Sequence, residues 1–330
     1  MSLRVWTTLA TRDERDWGHL PPSEERAHAF RAAEVAGLDG VVAPYDLGGE
    51  ESTVLVGDAL RHTRWVHALH EFHVAAFNPV YAAKVAASYQ RFTAGRLDWA
   101  PLVTAATPSQ RRPSSTDAAS WYARADEFLT ISRGVWNHET FDLEGTYYQV
   151  KGGGFREALA GLPFPRVHLT GSDDDALRLS AKHGDVHVFT TAHEVAERGP
   201  ALQEQARALG RAVELGIRLS LLVRETVGEA LGELAAETGA SPDLVPLPSG
   251  ASWWDGFATR GHSSPGGLVG SYAQVADELA RLASQGVGTV ILDVRPRVEE
   301  TYRIGEHLLP LVRPASSSTS TPDLETTGVR

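Results

Sequence analysis

The 330-residue chain contains no cysteine, and its one methionine is the first residue. Without thiols, disulfides, Cys-ligated zinc, iron–sulfur clusters and thiolate nucleophiles are all excluded. No run of eighteen apolar residues occurs, and the opening MSLRVWTTLATRDERDW lacks the apolar stretch of a signal peptide. Neither a membrane span nor export is therefore expected, and the cytoplasm is the default location. Positive charge is also scarce: 31 Lys and Arg face 42 Asp and Glu, a formal net charge of -11. Such a balance offers no broad basic face for phosphate backbones, so a nucleic-acid partner is not expected. The first apolar segment is not followed by G-x-G-x-x-G, which disfavours a dinucleotide-binding domain. No Ser-His-Asp spacing suggests a hydrolase.

What the chain does have is alternation. Glu71 to Ala105 shows it best, as a strand ending near Ala76, a helix from Pro79 and a new strand from Leu97 to Thr104. Asn78 can cap the helix, Pro79 suits its first turn, and Gly95 can end it. Its apolar face is expected at Ala82, Val85, Ala86, Tyr89 and Phe92. Other strands are expected at Leu3–Thr8, Gly40–Pro44, Arg64–Ala76, Arg166–Thr170, Val186–Thr190, Leu215–Val223 and Gly288–Val294. Helices are expected at Glu24–Ala36, Glu50–Leu60, Ser114–Val135, Asp173–Lys182, Val195–Leu209, Glu225–Glu237, Tyr272–Ser284 and Glu299–Leu311. Eight strand–helix units favour an α/β fold of the (β/α)8 TIM-barrel class over an open sheet. Residues 1–313 then form one barrel domain with two insertions. The first, at about 136–164, reads as a hairpin or loop. The second, at about 240–267, is rich in Pro and Gly and reads as a long lid loop with little regular structure. Residues 314–330, rich in Ser, Thr and Pro, read as a disordered tail.

In such barrels ligands gather at the carboxyl ends of the strands, here Ala75–Asn78 and Thr104–Thr107. Arg12, Arg218, Arg260, Arg295 and Arg297 fall at strand ends or in the lid, and several guanidiniums at one mouth imply an anionic ligand. The alternative for any one of them is a surface ion pair. Gly171-Ser172 lies between a strand and a helix, where backbone amides and the helix dipole could receive a phosphate. The competing reading is an N-cap followed by the acidic turn Asp173, Asp174 and Asp175. His67, His70 and His73 cannot converge on a metal, because alternation sends His70 to the opposite face of the strand.

NPVYAAKVAASYQRFTAGRL, YARADEFLTISRGVW, ETFDLEGTYYQVKG, the Gly-Ser turn, GIRLSLLVRET and LVGSYAQVADELARLASQGVGTVILDVRPRVEETYRIGEHLLPLV occur in this order. Together they resemble the bacterial luciferase-like flavin monooxygenases, with the alkanesulfonate monooxygenase branch most similar. The resemblance implies reduced FMN (FMNH2) supplied by a separate NAD(P)H-dependent flavin reductase, dioxygen as co-substrate, reaction through a flavin peroxide, and a homodimer or homotetramer. It matches Gly171, Ser172 and Tyr122 to the surroundings of the flavin phosphate, and Ala75, Ala76, Asn78 and Thr104 to the bed of the flavin ring. Arg218 matches a substrate-pocket arginine, Arg260 falls in the region matching the mobile lid, and Arg295 and Arg297 replace pocket residues at the last strand's end. The lid, Ser249 to Gly267 with Trp253 and Trp254, would close over a small, anionic organic substrate. Pro101, Ala105 and Asp173 depart from the family pattern, Asp173 placing a negative charge beside the phosphate turn. Two other readings stay open: a deazaflavin-dependent oxidoreductase on the same barrel, and a flavin-binding protein without turnover.

Overall fold

The computed structural model describes residues 3–11, 22–103, 118–156 and 159–313. Its apolar segments form eight parallel strands: Arg4–Thr8, Gly40–Ala43, His67–His73, Leu97–Leu102, Arg166–Thr170, Val186–Phe189, Glu214–Arg224 and Val287–Asp293. Numbered one to eight in that order, each pairs with its neighbour, and strand eight returns to strand one with Val290 beside Val5. The ring leaves no unpaired barrel edge and is a closed (β/α)8 barrel. The main helices that follow or flank the strands are Pro22–Val35, Ser52–His62, Pro79–Thr93, Ala118–Asn137, Asp174–His183, Ala192–Ala208, Val227–Thr238, Tyr272–Ser284 and Arg297–Arg303. The last continues through a π turn, Ile304–Leu308, into Leu309–Val312.

Alternation decides which residues enter the lumen. Trp6, Val42, Leu69, Ala100, Val186, Val188 and Ile291 pack there as a separate buried cluster. Because Leu69 points inward, so do His67, Glu71 and His73, while His70 faces the helix side and meets the Thr53 hydroxyl at 3.1 Å. Toward the amino end, Asp98 is buried between His67 at 3.5 Å and His168 at 3.4 Å. Burial works to raise the Asp98 pKa, but hydrogen bonds and charge from His168 and His67 outweigh it and hold the carboxyl below its ordinary value.

Three local expectations are corrected by packing. Strand three ends at His73, and residues 74–76 form a turn. In the helix Pro79–Thr93 the buried face is Pro79, Ala82, Ala83, Ala86, Ala87 and Gln90, leaving Phe92 82% exposed. Gln90 is drawn inside because its amide accepts from Leu97 N and donates to the Pro163 carbonyl. Ala94 and Gly95 both take positive φ to end the helix.

The third correction concerns 240–267, which is not an unstructured loop. Strand seven is 11 residues long, and its projecting end, Ser220–Arg224, pairs in parallel with a further strand, Gly267–Ser271. Ser252–Trp254 adds antiparallel to that strand, and Val245–Pro246 adds to Ser252–Trp254. Trp254 and Phe257 pack with Leu222, Ala230, Leu234 and Val269. A side chain of that size contributes about 1.5–3 kcal/mol on burial, so this segment is anchored by its own small core. The earlier insertion is a hairpin, Phe141–Glu144 against Gln149–Gly153, in line with expectation. The expected tail, 314–330, lies outside the described residues.

Candidate active site

Strands three and seven each send a charged side chain across the lumen at the carboxyl end. Arg218 ion-pairs with Glu71, whose second oxygen accepts from Tyr45 N at 3.3 Å. The Arg218 Nε is buried with no hydrogen-bond partner among the described residues. The Nε is closed to solvent, so a ligand would have to meet another part of this side chain, which is 22% exposed, with the counter-charge already in place.

A cavity of about 460 Å3 opens beside Tyr45, whose amide donates to Glu71, and is lined by Thr8, Thr11, Tyr45, Asp46, Arg295 and Arg297 together with Gly261 and Ser263. That volume suits a small organic molecule. Arg297, although expected as a substrate clamp, is held in the wall. Its Nε donates to the Thr8 carbonyl at 2.7 Å and its Nη2 to Asp293 Oδ1 at 3.3 Å, so it ties strand one to strand eight. Burial lowers its pKa to about 10, still high enough to stay charged at neutral pH. Asp293 is fully buried and also accepts from the Ser263 hydroxyl at 2.6 Å and from Ser264 N at 3.2 Å. Ser220 donates its hydroxyl to the Ser264 carbonyl at 2.6 Å. The end of the expected lid is thus bolted to strands seven and eight.

One wall of the mouth is aromatic. His73 accepts from Ala75 N at 3.1 Å and meets Trp121 edge-on at 5.1 Å, with Tyr45 on its other side at 6.3 Å. Ala75 and Ala76 are exposed in the turn beyond His73. Asn78 is engaged otherwise, its side-chain oxygen accepting from Val80 N at 3.0 Å and Tyr81 N at 3.3 Å as the helix cap. Thr104 and Arg12 lie outside the described residues.

After strand five the chain turns at Gly171, whose φ of +122° favours glycine and whose added Cβ would stand 2.7 Å from Ala176 Cβ and 3.3 Å from the Tyr122 hydroxyl. Ser172 is exposed beside it. Glycine turn, tyrosine hydroxyl and helix amides do converge here, as a phosphate would require. Asp173 already occupies them. One carboxylate oxygen accepts from the Tyr122 hydroxyl at 2.8 Å and the other from Ala176 N at 2.8 Å. Burial, and then the Asp173 carboxylate, push the Tyr122 pKa up, so the hydroxyl keeps its proton as a donor. A phosphate brought to the same two donors would have to displace a carboxylate already bonded to both, and would meet its like charge. A phosphate therefore does not fit this turn as it is built.

Arg260 leaves the mouth altogether. It pairs with Glu237 and approaches Glu233 at 3.8 Å, both on the helix Val227–Thr238, which packs against the small core around Trp254. The sequence reading missed Glu71, Tyr45, Trp121 and Asp293. Glu71 was within reach, since the alternation that separated the histidines also places it on the lumen face; Trp121 and Asp293 had no such signal.

A family model described as luciferase-like monooxygenase matches residues 5–289. A riboflavin lyase solved with modified FMN and its substrate riboflavin superposes with a TM-score of 0.76 at 18% identity, covering 98% of this chain and 94% of that one. The EDTA monooxygenase of Chelativorans sp. BNC1 gives 0.74 at 16% identity, covering 94% and 93%. An F420-dependent secondary alcohol dehydrogenase solved with an F420–acetone adduct gives 0.71 at 17%, covering 95% and 100%. At these identities the structures share the fold, and they include both FMN and F420 enzymes.

Proposed function

The chain belongs to the luciferase-like monooxygenase family, and from that premise we propose that it is a flavin-dependent monooxygenase acting on a small polar organic molecule. Reduced flavin would come from a separate NAD(P)H-dependent reductase, and dioxygen would be the co-substrate. The observation that carries this reading is the cavity at the carboxyl mouth, walled by Arg295 and Arg297, to which the Arg218–Glu71 pair is joined through Tyr45. Arg218 would orient the substrate through the exposed part of its side chain and stabilise negative charge; a guanidinium does not serve as a proton donor at neutral pH. His73 and Trp121 would exclude water from one side.

The mouth is not simply basic. Glu71, Asp46 and Asp293 stand beside Arg218, Arg295 and Arg297. This balance supports a singly charged or zwitterionic substrate over a multiply charged anion, and an alkanesulfonate is one member of the first class. The test is a panel of sulfonates, carboxylates, amino acids and ketones incubated aerobically with the protein, a flavin reductase and NAD(P)H. Substrate-dependent oxygen uptake with an oxygenated product supports the proposal. Hydride exchange with F420 and no oxygen uptake would support the dehydrogenase reading instead, and flavin binding without product a binding protein.

A further inference from the structure

The turn after strand five has the parts of an anion cradle and is charged against anions. Gly171 lets the chain pass where a Cβ would strike Ala176, the Tyr122 hydroxyl points into the turn, and the ten-residue helix Asp174–His183 begins there. The carboxylate of Asp173 bridges the hydroxyl and the Ala176 amide, each at 2.8 Å. Tyr122 has a single proton to donate, and it is taken. The next two residues add negative charge, but each is answered: Asp174 by Arg198 and Asp175 by Arg178. Among the described residues no Lys or Arg makes an ion pair with Asp173, so its charge is met only by the hydroxyl and the helix end.

We infer that Asp173 is a built-in anion that fills this cradle and makes the protein discriminate against a phosphomonoester, so that it takes an uncharged flavin such as riboflavin at least as readily as FMN. The inference rests on the flavin reading above for its ligand, but not for its geometry. Carboxylate and phosphate oxygens compete for the same two donors, and a fixed carboxylate adds repulsion that only its removal relieves. Serine in its place would still cap the helix, because its hydroxyl can accept from the same amide, while leaving the cradle uncharged.

The experiment compares the full chain with its Asp173→Ser variant in two measurements. Fluorescence titration with riboflavin and with FMN should show the wild type binding riboflavin at least as tightly as FMN; the variant should tighten FMN about tenfold and leave riboflavin unchanged, because the two donors come free and the like charge is gone. Thermal unfolding in inorganic phosphate against chloride at equal ionic strength should show phosphate stabilising the variant and not the wild type. FMN binding about tenfold tighter than riboflavin in the wild type would overturn the inference. So would an unchanged preference in the variant, or phosphate stabilising both proteins alike or neither. If neither protein binds any flavin, the proposed function falls, and the phosphate measurement alone decides: selective stabilisation of the variant upholds the filled cradle, and its absence refutes it.

Discussion

The mouth above strands one, seven and eight and the turn after strand five both gather hydrogen-bond donors, and in both a carboxylate of the chain answers them. They differ in what is left over. At the mouth, Glu71 meets one edge of Arg218 and leaves its side chain 22% exposed, and Tyr45, bonded to Glu71, opens onto a cavity of about 460 Å3. At the turn, Asp173 takes the tyrosine hydroxyl and the helix amide together. Basic side chains near a barrel rim therefore do not by themselves define an anion site; the carboxylates facing them decide how much positive field remains.

Acid should produce the largest effect, because each region is backed by a buried neutral histidine. His187, hydrogen-bonded to Ser180 at 2.7 Å behind the turn, is lowered by burial to about 4. His262, against the Asp293 carbonyl at 3.0 Å behind the mouth, is lowered by burial to about 4 as well. The unfolded chain binds protons at these groups below about pH 6.5 while the folded chain does not, so stability falls as pH drops from there toward 4. The slope approaches about 1.4 kcal/mol per pH unit for each histidine. Urea unfolding across this range, repeated on His187→Asn and His262→Asn, should show each variant losing part of the slope; equal slopes in all three proteins would contradict the assignment.

Glu71→Ala should come next. It leaves Arg218 partly buried without its counter-ion and should cost about 3 kcal/mol in urea unfolding. Asp173→Ser should cost less than about 1 kcal/mol, since one capping residue replaces another. Similar losses at both positions would erase the contrast between a pair that holds the mouth together and a charge that merely fills a turn. Smallest of all in turnover is Arg260→Ala. Its partners Glu233 and Glu237 are on an outer helix, so turnover should stay within about twofold, while its side chain, only 7% exposed, makes a loss of stability from lost packing the expected result in urea unfolding.

Much of the fold was legible because closed parallel barrels repeat one local grammar. Asn78-Pro79 announced a helix that begins at Pro79, and the strand expected at Arg166–Thr170 has those bounds. Two things were hidden. Periodicity cannot report that strand seven outruns the barrel and recruits Gly267–Ser271, because that pairing joins residues far apart in sequence. Nor can a list of arginines report their partners: Arg260 is held by Glu237 as its segment folds back on the helix Val227–Thr238, and Arg297 by Asp293 and, once the ring closes, by the Thr8 carbonyl. Asp173 was suspect from its charge alone, and its bridge to Tyr122 needed the turn and the helix Ala118–Asn137 brought together.

The central claim is that ligand recognition resides at the mouth, through Arg218. The most direct test is the steady-state kinetics of Arg218→Ala, on folded protein, with whichever substrate the panel identifies, alongside flavin binding. The account predicts a fall in kcat/KM of about 100-fold, the worth of one charge-assisted contact, with flavin affinity changed by no more than about threefold. Equal losses in both quantities, or no loss in either, would contradict it.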